Sequence, residues 1–230
     1  MIEETPAKAY IISLQVGTPR AEAYGNKEVL TAIFKESSDR AHKLSITGLD
    51  GDEQGDKVHH GGPDKAVCVY LERWYPYWNE QLERPLEYGS FGENITVSEW
   101  TEDDLCIGDK LQLGSAVVQV SQPRQPCFKL GIRNGLPSLP EQVIKRGNTG
   151  FYLRVLEEGE VRAGDELTVL KRHPARKSVA EANRLMYNDK NDQAGLEALL
   201  AVEELAESWR GQLGKRLAKL RGDGQGGQSV

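Results

Sequence analysis

The chain has 230 residues, of which 38% are hydrophobic and 28% are charged, and its net charge is −6 at pH 7. No apolar run reaches the ~20 residues that span a bilayer and residues 1–10 lack signal-peptide character, so we expect a cytoplasmic protein with no membrane partner. Acidic residues are in excess before residue 171, which argues against general nucleic-acid binding because that affinity comes from neutralising phosphates.

Short runs that alternate or are wholly apolar are typical of β-strands, and they dominate the chain up to about residue 170. The predicted strands are AYIISLQV (9–16), HKLSIT (42–47), AVCVY (66–70), ENITV (93–97), KLQL (110–113), AVVQVS (116–121), GFYLRVL (150–156) and ELTVL (166–170). Helices are predicted at 71–82, 127–134 and 140–146. Many strands with few helices predict a mainly β fold, a barrel or a sandwich.

The sequence pattern becomes helical beyond residue 172. Ser178 and Glu181 form an S-x-x-E capping box, and leucines at helical spacing follow in two further segments. We therefore predict a β domain at 1–172, a three-helix domain at 173–221, and a disordered Gly-rich tail at 222–230. The pattern leaves open whether the protein is a monomer or a homodimer.

The stretch GLDGDEQGDKVHHGGPDKAV (48–67) is the first candidate site, because it places His59, His60 and Lys65 among glycines before a strand. Glycine lets backbone amides approach an anion closely, and histidine and lysine add donors, which predicts a pocket for a phosphate-sized anion. Two alternatives stay open. One is a flexible surface loop, and the other is a metal site, although the spacing matches no standard zinc pattern.

Asn94 is the second candidate, since it stands where the loop SFGE enters a strand. Its amide is placed to donate to a ligand, although capping of a turn is the more common role for asparagine in such a position.

The three cysteines, Cys68, Cys106 and Cys127, contain no CxxC pair, which excludes a disulfide framework and a structural zinc or iron–sulfur set. Cys68 and Cys106 lie in apolar contexts typical of a core. Cys127 follows a strand, opens a predicted helix and has Arg124 nearby. That setting favours the thiolate, which attacks as a nucleophile or binds a soft metal. The alternative is a buried loop cysteine.

Five segments resemble, in the same order, those of MOSC-domain proteins, the family named for the C-terminal domain of molybdenum-cofactor sulfurases. They are TAIFK (31–35), GLDGDEQGDKVHHGGPDKAV (48–67), FGENITV (91–97), IGDKLQLGSAVVQVSQPRQPCFKL (107–130) and TGFYLRVLEEGEVRAGDEL (149–167). The resemblance is closest to the bacterial YiiM-type members, which carry a similar three-helix appendage. It implies a mainly β fold, a MOSC-type β-barrel with a few short helices, followed by a small C-terminal three-helix bundle.

The resemblance also implies the molybdenum cofactor (molybdopterin), a pterin with a terminal phosphate whose dithiolene binds the metal. The family's cysteine falls on Cys127, which would be the catalytic residue and the protein ligand to molybdenum. The cofactor-binding residues implied are Lys35, His59, His60, Lys65, Asn94 and Arg124. Members of this type are similar to detoxifying reductases of N-hydroxylated compounds such as hydroxylamino base analogues, which implies a small-molecule substrate of that class.

Electrons for such a reaction are expected from a separate electron-donating reductase, because the sequence has no ferredoxin-like cysteine set and no flavin or nicotinamide motif. Two other hypotheses stay open. One is a non-catalytic carrier of the cofactor or of sulfur on Cys127. The other is a binding module whose barrel takes a phosphorylated small molecule and whose helices bind a partner.

Overall fold

The computed structural model describes residues 8–54 and 61–225, with side chains as far as residue 222. The strands are β1 (Lys8–Val16), β2 (Arg20–Tyr24), β3 (Lys27–Thr31), β4 (Glu36–Ser37), β5 (His42–Ser45), β6 (Gly48–Leu49), β7 (Val67–Leu71), β8 (Ile95–Val97), β9 (Lys110–Leu113), β10 (Ala116–Pro123), β11 (Phe151–Glu157), β12 (Gly159–Val161) and β13 (Glu166–Lys171). The α-helices are α1 (Tyr75–Gln81), α2 (Phe128–Asn134), α3 (Leu139–Arg146), α4 (Val179–Asn183), α5 (Gln193–Leu200) and α6 (Glu207–Gln225).

Seven strands close into a barrel in the order β13, β9, β10, β11, β7, β8, β1, because β1 pairs in turn with β13. The pairs are antiparallel except for β7 and β8, which run parallel. Closure satisfies the backbone groups that an open sheet would leave at its two edges. The predicted mainly β barrel is therefore confirmed.

Every predicted strand is present, but the sequence patterns missed the short strands β4, β6 and β12 and the hairpin of β2 and β3. That hairpin turns at Gly25, whose φ of 59° is left-handed, and its side chains are mostly exposed. Without a buried face it shows no apolar alternation to detect. Cys106, predicted in an apolar strand-like context, is buried but forms only an isolated bridge with Ser178.

The main hydrophobic core joins the barrel to the C-terminal helices. Barrel residues such as Val118 and Ile107 belong to the same buried cluster as Trp209 and Leu213 of α6. A second cluster is aromatic and covers one side of the barrel, where Tyr70 stacks on Phe91 with ring centroids 4.0 Å apart. The helices therefore bury their apolar faces against the barrel as well as against each other.

The C-terminal helices start as predicted. Ser178 Oγ accepts the Glu181 backbone N–H at 3.0 Å, which is the N-cap half of the predicted box, while Glu181 Oε1 accepts from Lys177 Nζ at 2.8 Å. After α4 the chain passes through a π-helical turn, Arg184–Asn188, before α5 begins. Helix α6 runs to Gln225, beyond the expected end of the helical domain at 221, and the remainder of the predicted tail, 226–230, lies outside the described residues.

Across the part of the chain that the structure describes, no helix combines the length and apolar character needed to cross a membrane.

Candidate functional site

A cavity of about 90 Å³ lies between the segment after β3, the two ends of the glycine-rich stretch, and the segment that carries Cys127. It brings together the predicted site residues Lys35, Lys65, Asn94, Arg124 and Cys127. The predicted residues His59 and His60 lie outside the described residues. Gln54, directly before that gap, and Lys65, a few residues after it, both line the cavity.

Cys127 connects β10 to α2 and has an extended backbone, with φ −122° and ψ 171°. It is half-buried and lines the cavity, whereas Cys68 and Cys106 are only 5% and 3% exposed. None of the three cysteines is in a disulfide. Cys127 is thus a reachable thiol rather than a buried loop cysteine.

Arg124 is buried in the wall of the same cavity, with 6% of its surface exposed. Its backbone N–H donates to the Gly150 carbonyl at 3.0 Å, while its Nη1 has no hydrogen-bond partner among the described residues. Burial alone would lower the pKa of Arg124, yet that pKa is raised because Cys68, Tyr152 and Cys127 lie close enough to stabilise the cation. A buried donor without an acceptor is costly, which makes Nη1 a candidate group for binding a ligand.

Lys35 and Asn94 are both bound to Asp52. Lys35 forms an ion pair with Asp52, and the two side chains are 7% and 3% exposed. Asn94 Nδ2 donates to Asp52 Oδ2 at 2.9 Å, and Asn94 Oδ1 accepts the Cys68 backbone N–H at 3.0 Å. The Gly17 N–H also donates to Asp52, at 2.9 Å. These contacts fix the start of the glycine-rich stretch against the barrel, so both predicted ligand-binding side chains also have protein partners.

Positive charge predominates around the cavity, in contrast to the negative charge of the whole chain. The described ionic side chains that line it are the cations Lys35, Lys65, Arg124 and Lys129 and the anions Asp52 and Glu53. Since the Lys35 and Asp52 charges pair with each other, the remaining balance favours an anionic ligand.

Cys68 and Tyr152 also line the cavity, and sequence reasoning assigned neither to the site. They are register neighbours on β7 and β11. Burial raises the pKa of Cys68 to about 11, and burial together with the Cys68 thiol raises the pKa of Tyr152. Cys68 is buried as predicted, but both faces of β7 are apolar, so no local pattern indicates that this residue faces a cavity.

The rival prediction of a protein-only metal site has no support within residues 8–54 and 61–225, where no three His, Cys, Asp or Glu side chains cluster as metal ligands. The stretch containing His59 and His60 is not covered by that statement.

Comparison with protein families gives two adjacent matches. The MOSC domain matches residues 56–168, and the YiiM-like, 3-alpha helix domain matches residues 178–220. The first match contains the glycine and histidine run, Asn94, Arg124 and Cys127, and the second contains α4, α5 and most of α6.

Individual relatives agree with these matches. The chain is 46% identical to protein YflK of Bacillus subtilis over 91% of this chain and 95% of that protein. It is 34% identical to a Gibberella moniliformis protein named reductase, over 79% of this chain but only 33% of that protein. The crystal structure of YiiM from Geobacillus stearothermophilus superposes with a TM-score of 0.78 at 36% identity, covering 91% of this chain and 99% of that one.

Proposed function

Because the chain belongs to the MOSC family and carries a YiiM-like 3-alpha helix domain, we propose that it is a molybdenum-cofactor-dependent reductase of N-hydroxylated compounds. The observation that carries the proposal is a half-buried thiol, Cys127, in one cationic cavity with Arg124 Nη1, which has no partner within residues 8–54 and 61–222. A soft metal site needs the first group, and an anionic cofactor needs the second.

The residues present fit the cofactor. Cys127 would hold the metal through Sγ, and Arg124, Lys65 and Lys129 would hold the anionic groups of the pterin and its phosphate. When bound, the cofactor supplies the redox chemistry that removes the oxygen of an N–O group. Its ligand sphere would depend on Cys127 for the protein's soft donor.

The protein side chains contribute orientation and charge. Arg124 is desolvated, so its attraction for an anion is stronger than that of a surface arginine. Burial raises the pKa of Tyr152 further above its already alkaline ordinary value, so its hydroxyl stays protonated beside the Cys68 thiol in the cavity wall. Asp52, held by Lys35 and Asn94, keeps the start of the glycine-rich stretch against the cavity.

A redox role is supported by the relative that is named reductase. Because the sequence has no flavin, nicotinamide or ferredoxin-like motif, we propose that electrons come from a separate reductase. Under this proposal the cavity binds cofactor and substrate, and the electron-donating reductase needs only to contact the edge of the cavity.

The proposal is tested on protein produced in cells that make the molybdenum cofactor. Metal analysis and pterin fluorescence measure loading, and a reduced viologen dye with an aromatic hydroxylamine measures turnover. We expect molybdenum, pterin and formation of the amine. Wild-type protein without molybdenum would contradict the proposal, and loaded protein that reduces no N-hydroxylated compound would favour the non-catalytic carrier instead.

A further inference from the structure

The first turn of α6 is attached to the end of β10, directly before the segment that carries the cavity cation Arg124. The Ala206 N–H donates to the Ser121 carbonyl at 3.0 Å, and Ser208 Oγ donates to Gln122 Oε1 at 3.1 Å. Ser121 and Gln122 are almost completely buried. The position of this part of β10 is therefore tied to the start of α6.

The same turn of α6 also contacts Asp64, the residue before the cavity residue Lys65. The Glu207 N–H donates to Asp64 Oδ2 at 3.3 Å, and Arg154 Nε and Nη2 bond to Asp64 Oδ1 at 2.9 and 2.7 Å. The Asp64 carbonyl accepts the Ser121 hydroxyl at 2.6 Å. Asp64 thus joins β10, β11 and α6 at the residue next to Lys65, which lines the cavity.

We propose that Asp64 is a positioning residue, and that through it the three-helix unit holds Lys65 at a fixed place relative to Arg124 and Cys127. Its link to ligand binding rests on the proposed function, whereas its effect on the position of the cavity wall does not. The helical unit then belongs to the site, although none of its residues lines the described cavity.

The chemistry of the contact supports a positional role more than a stabilising one. A carboxylate in front of the first backbone N–H groups of a 19-residue helix is oriented by the helix dipole. Yet Asp64 and Arg154 are 34% and 19% exposed, and ion pairs that contact solvent contribute little to global stability. Loss of the contact should therefore loosen one segment without unfolding the barrel.

Two substitutions break the contact from its two sides. Asp64→Asn removes the charge that pairs with Arg154. Glu207→Pro removes the N–H that α6 donates, at the first helical position, where proline is tolerated. The matched controls are Asp165→Asn, an Arg-paired aspartate that does not line the cavity, and Gln193→Pro at the first position of α5.

Hydrogen exchange on cofactor-free protein tests the position of the wall. We expect amides of residues 61–66 to exchange about tenfold faster in both variants, with no further gain in the double variant and no change in β9 or in the controls. Melting temperatures should stay close to those of the matched controls. Unchanged exchange at 61–66, or equal loosening in the controls, would overturn the proposal.

Cofactor retention tests the link to the site, and it separates the two proposals. Against loaded wild type, both variants should lose molybdenum about tenfold more readily on dialysis, while the controls match wild type. Equal retention in all proteins would overturn the positioning role. A wild type that never loads molybdenum would contradict the proposed function. The hydrogen-exchange experiment alone would then test the positioning role of Asp64.

Discussion

At the scale of single residues, the position of Cys127 separates it from the other two thiols. Cys127 lines an open cavity, so Cys127→Ala should lower the free energy of unfolding by about 1 kcal/mol or less. Cys106→Ala removes a buried sulfur that does not line the cavity and should cost more. Thermal melts of the two cofactor-free variants make the comparison. A larger loss of unfolding free energy in Cys127→Ala would show that its sulfur packs in the hydrophobic core.

Burial of Arg124 is expected to lower the stability of the cofactor-free protein and to strengthen ligand binding. Its Nη1 is buried without a partner among the described residues, so Arg124→Met should leave the melting temperature of cofactor-free protein unchanged or higher. Pterin loading should be lost, because the anion loses its desolvated donor. The control is Arg172→Met, which removes the partner of the fully buried Asp109 away from the cavity and should lower the melting temperature without affecting pterin loading. Normal pterin loading in Arg124→Met would contradict the role of Arg124.

The residues of the site differ in how far sequence could predict them. Cys127 and Arg124 follow from a local pattern, a thiol and a cation at the end of a strand, supported by the family resemblance. Asp64 and Tyr152 could not be predicted, because their roles arise from contacts between strands and helices far apart in the chain. The Lys35–Asp52 pair is likewise a contact across the fold, and neither residue carries a local signal for it.

At the scale of secondary structure, burial decided which elements could be predicted. Strand β1 alternates buried and exposed residues and was predicted, and β7 was predicted because its residues are all apolar and buried. The hairpin of β2 and β3 stands away from the barrel sheet, with few buried side chains, so hydrophobic periodicity does not mark it. Ser178 marks the start of α4 in the sequence because N-capping is a local interaction.

The turn before β11 depends on Gly150. Its φ is +71°, and a Cβ there would lie 2.2 Å from the Val69 carbonyl oxygen. Gly150→Ala should therefore destabilise the protein by about 2 kcal/mol or more, as judged by urea unfolding. Gly147→Ala is the matched control, since its φ is +84° but its Cβ would meet open space, and it should cost about 1 kcal/mol. Equal losses would show that crowding at Gly150 is unimportant.

A buried carboxyl, that of Glu102, links the turn before β11 to Trp74 and should make stability depend on pH. Burial raises the pKa of Glu102 from its ordinary 4.5 to about 7, although the Gly150 and Trp74 N–H groups donate to it. The folded state therefore binds the proton more tightly than the unfolded state. The stability that this group contributes is complete below pH 4.5, declines as pH rises, and is lost above pH 7.

Glu102→Gln removes that titration while keeping the shape of the side chain. We expect the variant to lose one of the two N–H contacts, at about 1 kcal/mol, and to show a flatter melting temperature between pH 5 and 7 than wild type. Melts at several pH values in one buffer series provide the measurement. Identical pH slopes for the two proteins would mean that Glu102 does not titrate in this range.

At the scale of the whole molecule, the barrel and the three helices share one hydrophobic core while matching two family descriptions. The cavity lies on the barrel, and the start of α6 contacts both segments that lead into it. The arrangement combines a cationic cavity with a negatively charged chain, so the local charge favours an anionic ligand although the chain as a whole is acidic.

The molybdenum-to-protein ratio of wild type and Cys127→Ser, purified in parallel from cofactor-competent cells, tests most directly that one thiol anchors the metal. The account predicts a substantial ratio in wild type, a loss of most of the metal in Cys127→Ser, and no loss in the control Cys106→Ser, whose thiol does not line the cavity. Equal molybdenum in wild type and Cys127→Ser would contradict it.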